Sequence, residues 1–112
     1  MARYLISFPD GAMAHIPDED MAAVGEAAHA VLFAAKAAGV WIQGGGILHD
    51  VETTLVTPDG SVIDGTDDGP PVGGFSIIDV PTRDEALAWA ARTAAACRCT
   101  QEVRELIPDR DA

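Results

Sequence analysis

Near the start of the chain Tyr4, Ile6 and Phe8 alternate with Arg3, Leu5 and Ser7, which predicts a strand with both faces partly apolar. Pro9-Asp10-Gly11 ends it. The period then changes to that of a helix, starting near Pro17-Asp18 and running to Ala38, with Met21, Val24, Ala28, Val31, Leu32 and Ala35 on one core-facing stripe. Pro17 suits the first turn. Asp18, Glu19 and Asp20 sit at the positive end of the helix dipole, and Gly39 is a natural C-terminal cap. Val40-Trp41-Ile42 opens a second strand. Gly44-Gly45-Gly46 interrupts it, as a bulge or a close backbone approach, and Ile47-Leu48 resumes it. Residues 53–57 and 61–63 flank the tight turn Pro58-Asp59-Gly60 and form a hairpin. Residues 64–74 read as a Gly/Pro/Asp-rich loop, and residues 75–80 as a strongly apolar strand. Thr82-Arg83-Asp84-Glu85 has the form of a capping box, opening a second helix that runs to about Cys97 with Leu87, Ala90, Ala91 and Ala94 as its stripe. Residues 101–106 alternate as a last strand, and residues 108–112 form a polar tail.

The order is strand, helix, strand, hairpin, strand, helix, strand. With right-handed crossovers this predicts an α+β fold, a ferredoxin-like βαββαβ unit with an extra hairpin and an antiparallel sheet. Residues 1–107 form a single domain. At 112 residues the chain buries roughly two-thirds of its unfolded surface and needs no disulfide or metal to hold a core. The helices cover one sheet face. Phe75 and Ile77 point one way and Ile78 and Val80 the other, so the second face is apolar too, and a two-fold homodimer is expected to cover it.

Several local motifs carry a family resemblance. Gly73-Gly74-Phe75-Ser76-Ile77-Ile78, then Asp84-Glu85-Ala86-Leu87-Ala88-Trp89-Ala90-Ala91-Arg92, then Gln101-Glu102-Val103-Arg104-Glu105-Leu106, resemble segments of the YCII-related, or DGPF-domain, family. Ala38-Gly39-Val40 after the first helix also fits, and the resemblance spans nearly the whole chain. Where the family has Asp-Gly-Pro-Phe, this chain has Asp64-Gly65-Thr66-Asp67. A literal Asp-Gly-Pro follows at Asp68-Gly69-Pro70. The resemblance implies a dimeric α+β barrel and a cleft between the sheet and the first helix, where some members carry a His–Asp pair proposed for acid/base work.

Charge narrows the function classes. Eighteen acidic and seven basic residues give a formal charge of -11, a field that repels phosphate backbones and anionic membrane surfaces. No apolar run approaches the ~20 residues of a membrane span. The first residues lack the apolar core of a signal peptide, so a cytoplasmic location is expected. The spacing of Cys97 and Cys99 fits reduced thiols, and three scattered histidines show no metal-ligand spacing, so no metal or cofactor is expected.

His29 is the leading catalytic candidate. It lies off the core stripe beside Gly25 and Phe33, and histidine is the side chain suited to moving protons near neutrality. Its position also resembles that of the family's proposed histidine. The alternative is an exposed helix residue packing on Phe33. Asp64, at the end of a strand, is the candidate carboxylate to orient it, with Asp67 and Asp68 as loop alternatives. Phe33, Gly44 and Gly45 are candidate walls of the ligand cleft. His15 and His49 read as surface residues. The expectation is therefore a homodimer that binds an unidentified small molecule and carries His29–Asp64 acid/base chemistry. The alternative is a non-catalytic regulatory or protein-interaction module.

Overall fold

The alternating residues at the start of the chain take a central place in the sheet. In a computed structural model, which describes residues 1–65 and 69–111, Ala2–Pro9 forms β1, and Tyr4 and Ile6 are buried. A 3₁₀ turn at Asp18–Asp20 leads into α1 (Met21–Ala37), followed by β2 (Trp41–Gly46), β3 (Thr54–Val56) and β4 (Val62–Asp64). β5 (Val72–Val80), α2 (Arg83–Cys97) and β6 (Glu102–Glu105) complete the described chain. Among the described residues these make an α+β architecture. A four-stranded antiparallel sheet runs in the order β2-β5-β1-β6, and β3 and β4 form a separate two-stranded hairpin. The four-stranded sheet is open, with β2 and β6 as its edges, and does not close into a barrel.

The core seam is built by register. Tyr4 stands opposite Ile78 and Ala2 opposite Val80, so their side chains share one face. Ala86 and Ala90, one turn apart on α2, pack on that face with Tyr4, Ile6, Ile78 and Val80. Alanine lets the helix approach the sheet closely. The Tyr4 hydroxyl reaches the sheet edge and donates to Glu105 Oε1 at 2.9 Å. Burial pushes the phenol above its ordinary pKa, and the Glu105 carboxylate adds to the rise.

The stripe expected for α2 is therefore rotated. Ala86, Ala90, Ala96 and Cys97 are buried, whereas Ala91 is exposed and Leu87 only half-buried. In a helix this rich in alanine nearly every face is apolar, and the periodicity cannot single one out. Thr82 caps the helix as expected, its Oγ1 accepting from Glu85 N at 3.2 Å. The other end closes on Arg98 in the left-handed conformation (φ 56), a position that usually falls to glycine. Arg98 in turn donates to Asp20 Oδ2 at 2.9 Å, tying the end of α2 to the start of α1.

Two further expectations shift. β2 runs unbroken through Gly44-Gly45-Gly46, and its bulge falls earlier, between Trp41 and Gln43. Ile47 and Leu48 lie outside the strand and are exposed. β5 begins at Val72, before the expected Phe75: Val72 pairs with Pro9 and Gly74 with Phe8 and Gly46, with Gly73 skipped at an irregularity between them. A side chain at Gly74 would strike the ring of Phe8.

The molecule measures 43 × 42 × 18 Å. The short dimension is that of one helix layer on one sheet, and among the described residues no second layer of helix or sheet lies on the other sheet face. Leu5 and Ile77, paired across β1 and β5, lie half-buried on that face. On the separate hairpin Val56, Val62 and Ile63 are exposed.

Candidate functional site: a cavity between the sheet and the first helix

The expected core stripe of α1 is only partly buried. Val24 and Ala35 are buried, but Ala28, Val31 and Leu32 are half-buried and Met21 is 42% exposed. The reason is a cavity of about 320 Å³ between α1 and the sheet. Met21, Val24, Ala28, Val31 and Leu32 all line it from the helix side. Ile6, Phe8 and Ser76 line it from the sheet, and Thr93, Cys97 and Gln101 from α2 and the turn after it. Its volume is at the small end of the range for small-molecule sites. Trp41, at the start of β2, forms one wall.

Among the described residues, no Asp, Glu, Lys or Arg side chain lines this space. In a chain of formal charge -11 that segregation is pronounced. The floor is apolar and buried at Ile6, Val24 and Cys97, while Met21, His29, Gly45 and Gly46 are exposed and mark the way in.

His29 thus lies at the cavity, on the flank of α1 where helical spacing puts it. Its Nδ1 lies 2.8 Å from the Gly25 carbonyl oxygen, one turn back. A carbonyl only accepts, so Nδ1 carries the proton and donates. In the neutral ring Nε2 is then an acceptor. The backbone of α1 itself sets the tautomer, a task often given to a carboxylate.

The other candidate residues separate. Gly45 lines the cavity, whereas Gly44 sits beneath Trp41. A Cβ at Gly44 would come within 2.8 Å of the indole Cη2 and 2.5 Å of Phe75 O. Phe33 lies outside the cavity and is 62% exposed, its ring tilted against His29 with centroids 6.1 Å apart. Asp64 ends β4 as expected, exposed on the hairpin. Among the described residues it makes no hydrogen bond or ion pair with His29. The structure therefore puts His29 and Gly45 on the cavity, leaves Phe33 outside it against the His29 ring, and leaves Asp64 on the hairpin. Asp67 and Asp68 lie outside the described residues. His15 is exposed. His49 is also exposed, in the loop after β2, and pairs with its neighbour Asp50 at 3.2 Å, an arrangement a strand would have prevented.

Sequence reasoning missed Trp41, Ser76, Thr93, Cys97 and Gln101 as lining residues. Only the packing of α2 and β2 brings them to one space, and no local pattern announces it. Cys97 is free, and burial pushes its thiol up, with Cys99 adding to the rise. Burial raises Cys99 as well. Both therefore stay as thiols, the poorly nucleophilic form. Among the described residues no group of three His, Cys, Asp or Glu side chains converges as metal ligands do. No helix among them is long and apolar enough to cross a membrane. None of the protein-family models scanned matches the chain, and a search of curated proteins finds no significant match.

Proposed function

We propose that this protein is a cytoplasmic, YCII-like homodimer with a ferredoxin-like core that binds a small molecule in the cavity between the sheet and α1. The observation that carries the reading is the cavity itself. A helix stripe of the right spacing to pack on the sheet is only partly buried, leaving an apolar space with polar groups at a few points. The sheet order β2-β5-β1-β6 supports the ferredoxin-like part, since each helix connection steps over one strand. The half-buried Leu5 and Ile77 on the uncovered face, and the exposed apolar hairpin, support a second copy as cover and a dimeric barrel as the result.

His29 is the group to which proton transfer falls, through Nε2. The second reading, a binding or regulatory module without catalysis, rests on a specific observation. The bond that orients His29 comes from the neutral Gly25 carbonyl, and among the described residues no carboxylate holds the ring. A carboxylate partner would raise basicity more.

A thermal-shift screen against a metabolite library tests the shared premise, with Ala28→Phe as the control. Ala28 faces the cavity, and a ring there fills it. A ligand that raises the melting temperature of the wild type and leaves Ala28→Phe unmoved supports the site. A shift that survives in the folded variant places binding elsewhere and removes the proposal. Turnover of that ligand lost in His29→Ala distinguishes the enzyme from the module. Solution mass decides the dimer.

A further inference from the structure

Three of the polar groups around the cavity share a property that their residue types do not reveal. His29 has committed its Nδ1 proton to the Gly25 carbonyl at 2.8 Å. Thr93 has committed its hydroxyl proton to the Trp89 carbonyl at 2.9 Å. Gln101 turns its amide nitrogen to the Cys99 carbonyl at 3.4 Å and to the Cys99 sulfur at 3.5 Å. What remains on each is an acceptor: His29 Nε2, Thr93 Oγ1 and Gln101 Oε1. Ser76 adds one hydroxyl that serves either way. The Trp41 indole N–H and the weak Cys97 S–H are donors on the same lining, and the remainder is mainly apolar, with Ile6 and Val24 among its walls.

We infer that the cavity selects an uncharged, largely apolar molecule that presents O–H or N–H donors to these acceptors. The inference rests on the proposed small-molecule site and names its ligand class. A carboxylate or phosphate ligand needs donors or a cation opposite it. Among the described residues the lining holds no Lys or Arg, the donors of its histidine, threonine and glutamine are spent on the backbone and the Cys99 sulfur, and the Ser76, Trp41 and Cys97 donors that remain are neutral. The overall charge of -11 opposes an anion further. A cationic ligand would lose its hydration in an apolar space without an opposite charge among the described residues. A wholly apolar ligand would cover the acceptors and leave them unpaired, which is also unfavourable.

Four ring-matched probes separate these terms: indole, 1-methylindole, indole-3-carboxylate and (indol-3-yl)methylammonium. Calorimetric titration of the full chain is expected to show indole binding. Methylation of the ring nitrogen weakens it about five- to tenfold, the worth of one hydrogen bond. Both ions bind at least about a hundredfold more weakly, because each buries an unpaired charge. His29→Phe, an exposed substitution on a helix flank, is expected to bring indole down towards 1-methylindole. An ion that binds as tightly as indole overturns the inference while leaving the cavity as a binding site. Equal affinity for indole and 1-methylindole overturns the demand for a donor. Failure of all four to bind removes both this inference and the cavity reading beneath it.

Discussion

Gly44 offers a direct test of how the cavity wall is built. An alanine Cβ there would lie 2.5 Å from Phe75 O, 2.8 Å from Ser76 Cα and 2.8 Å from Trp41 Cη2. Ordinary contact begins at 3.4 Å, so the backbone of β5 is too close by about 0.6–0.9 Å. Backbone atoms in the middle of a sheet cannot yield that much. Trp41 can, but only by leaving the wall it forms. β2 is an edge strand and can drift outwards, at the expense of its hydrogen bonds to β5. Overpacking of this kind costs about 1–3 kcal/mol. Gly46→Ala is the matched control, because a Cβ there meets nothing within 4 Å. Both variants gain the same stiffening of the unfolded chain, roughly 0.5–1 kcal/mol, so their difference isolates the steric term. Urea unfolding followed by circular dichroism should separate their midpoints by about 1 M, given the usual slopes for small domains. Gly44→Ala should also bind cavity ligands more weakly, since Trp41 moves. Equal midpoints for the two variants would refute the close approach of β2 to β5 and the placement of Trp41 with it.

Two further outcomes follow from the geometry. Arg98→Gly and Arg98→Ala both lose the half-exposed ion pair with Asp20, but only glycine relieves the left-handed backbone at φ 56. Arg98→Gly should therefore be the more stable by about 1 kcal/mol in thermal or urea unfolding, and equal stabilities would contradict the assigned helix end. Asp59 accepts from Thr57 Oγ1 at 2.5 Å and from Ser61 N at 2.9 Å, which holds its pKa down to about 2, from 3.8. A depressed carboxyl stabilises the turn above its unfolded value. The β3–β4 turn should therefore be intact above about pH 4 and loosen as pH falls through about 2. A carboxyl NMR titration of Asp59 with its midpoint near 3.8 would show that the turn bonds do not form.

Much of the architecture follows from local pattern. The alternation around Tyr4 and Ile6, the Thr82 cap, the Pro58-Asp59-Gly60 turn and the helix stop at Gly39 each obey short-range rules. A strand, a cap or a turn satisfies its own backbone within a few residues. The same logic correctly put His29 on the flank of α1, since 3.6 residues per turn is a local property. What failed were statements about which surfaces meet. The stripe Met21, Val24, Ala28, Val31, Leu32 was legible as apolar, but that it faces a void rather than the sheet was not. That depends on how the two helices pack on each other and on the sheet, with α2 seating Ala86 and Ala90 against β1 and β5. The same reason hid Ser76, Thr93 and Gln101, which come from separate elements and meet only across the fold. Gly44 was legible as a close approach, but its partners, Trp41 and the β5 backbone, were set by the register and the bulge. Asp64 was correctly placed at a strand end, yet its strand belongs to the hairpin and not to the sheet that carries the cavity. By itself, then, the sequence determined the elements, their boundaries to within a few residues and the charge of the molecule, because those depend on neighbours along the chain. The cavity, its lining and the spent donors around it were decided only by tertiary packing, because each depends on side chains far apart in sequence and on the spacing between two layers.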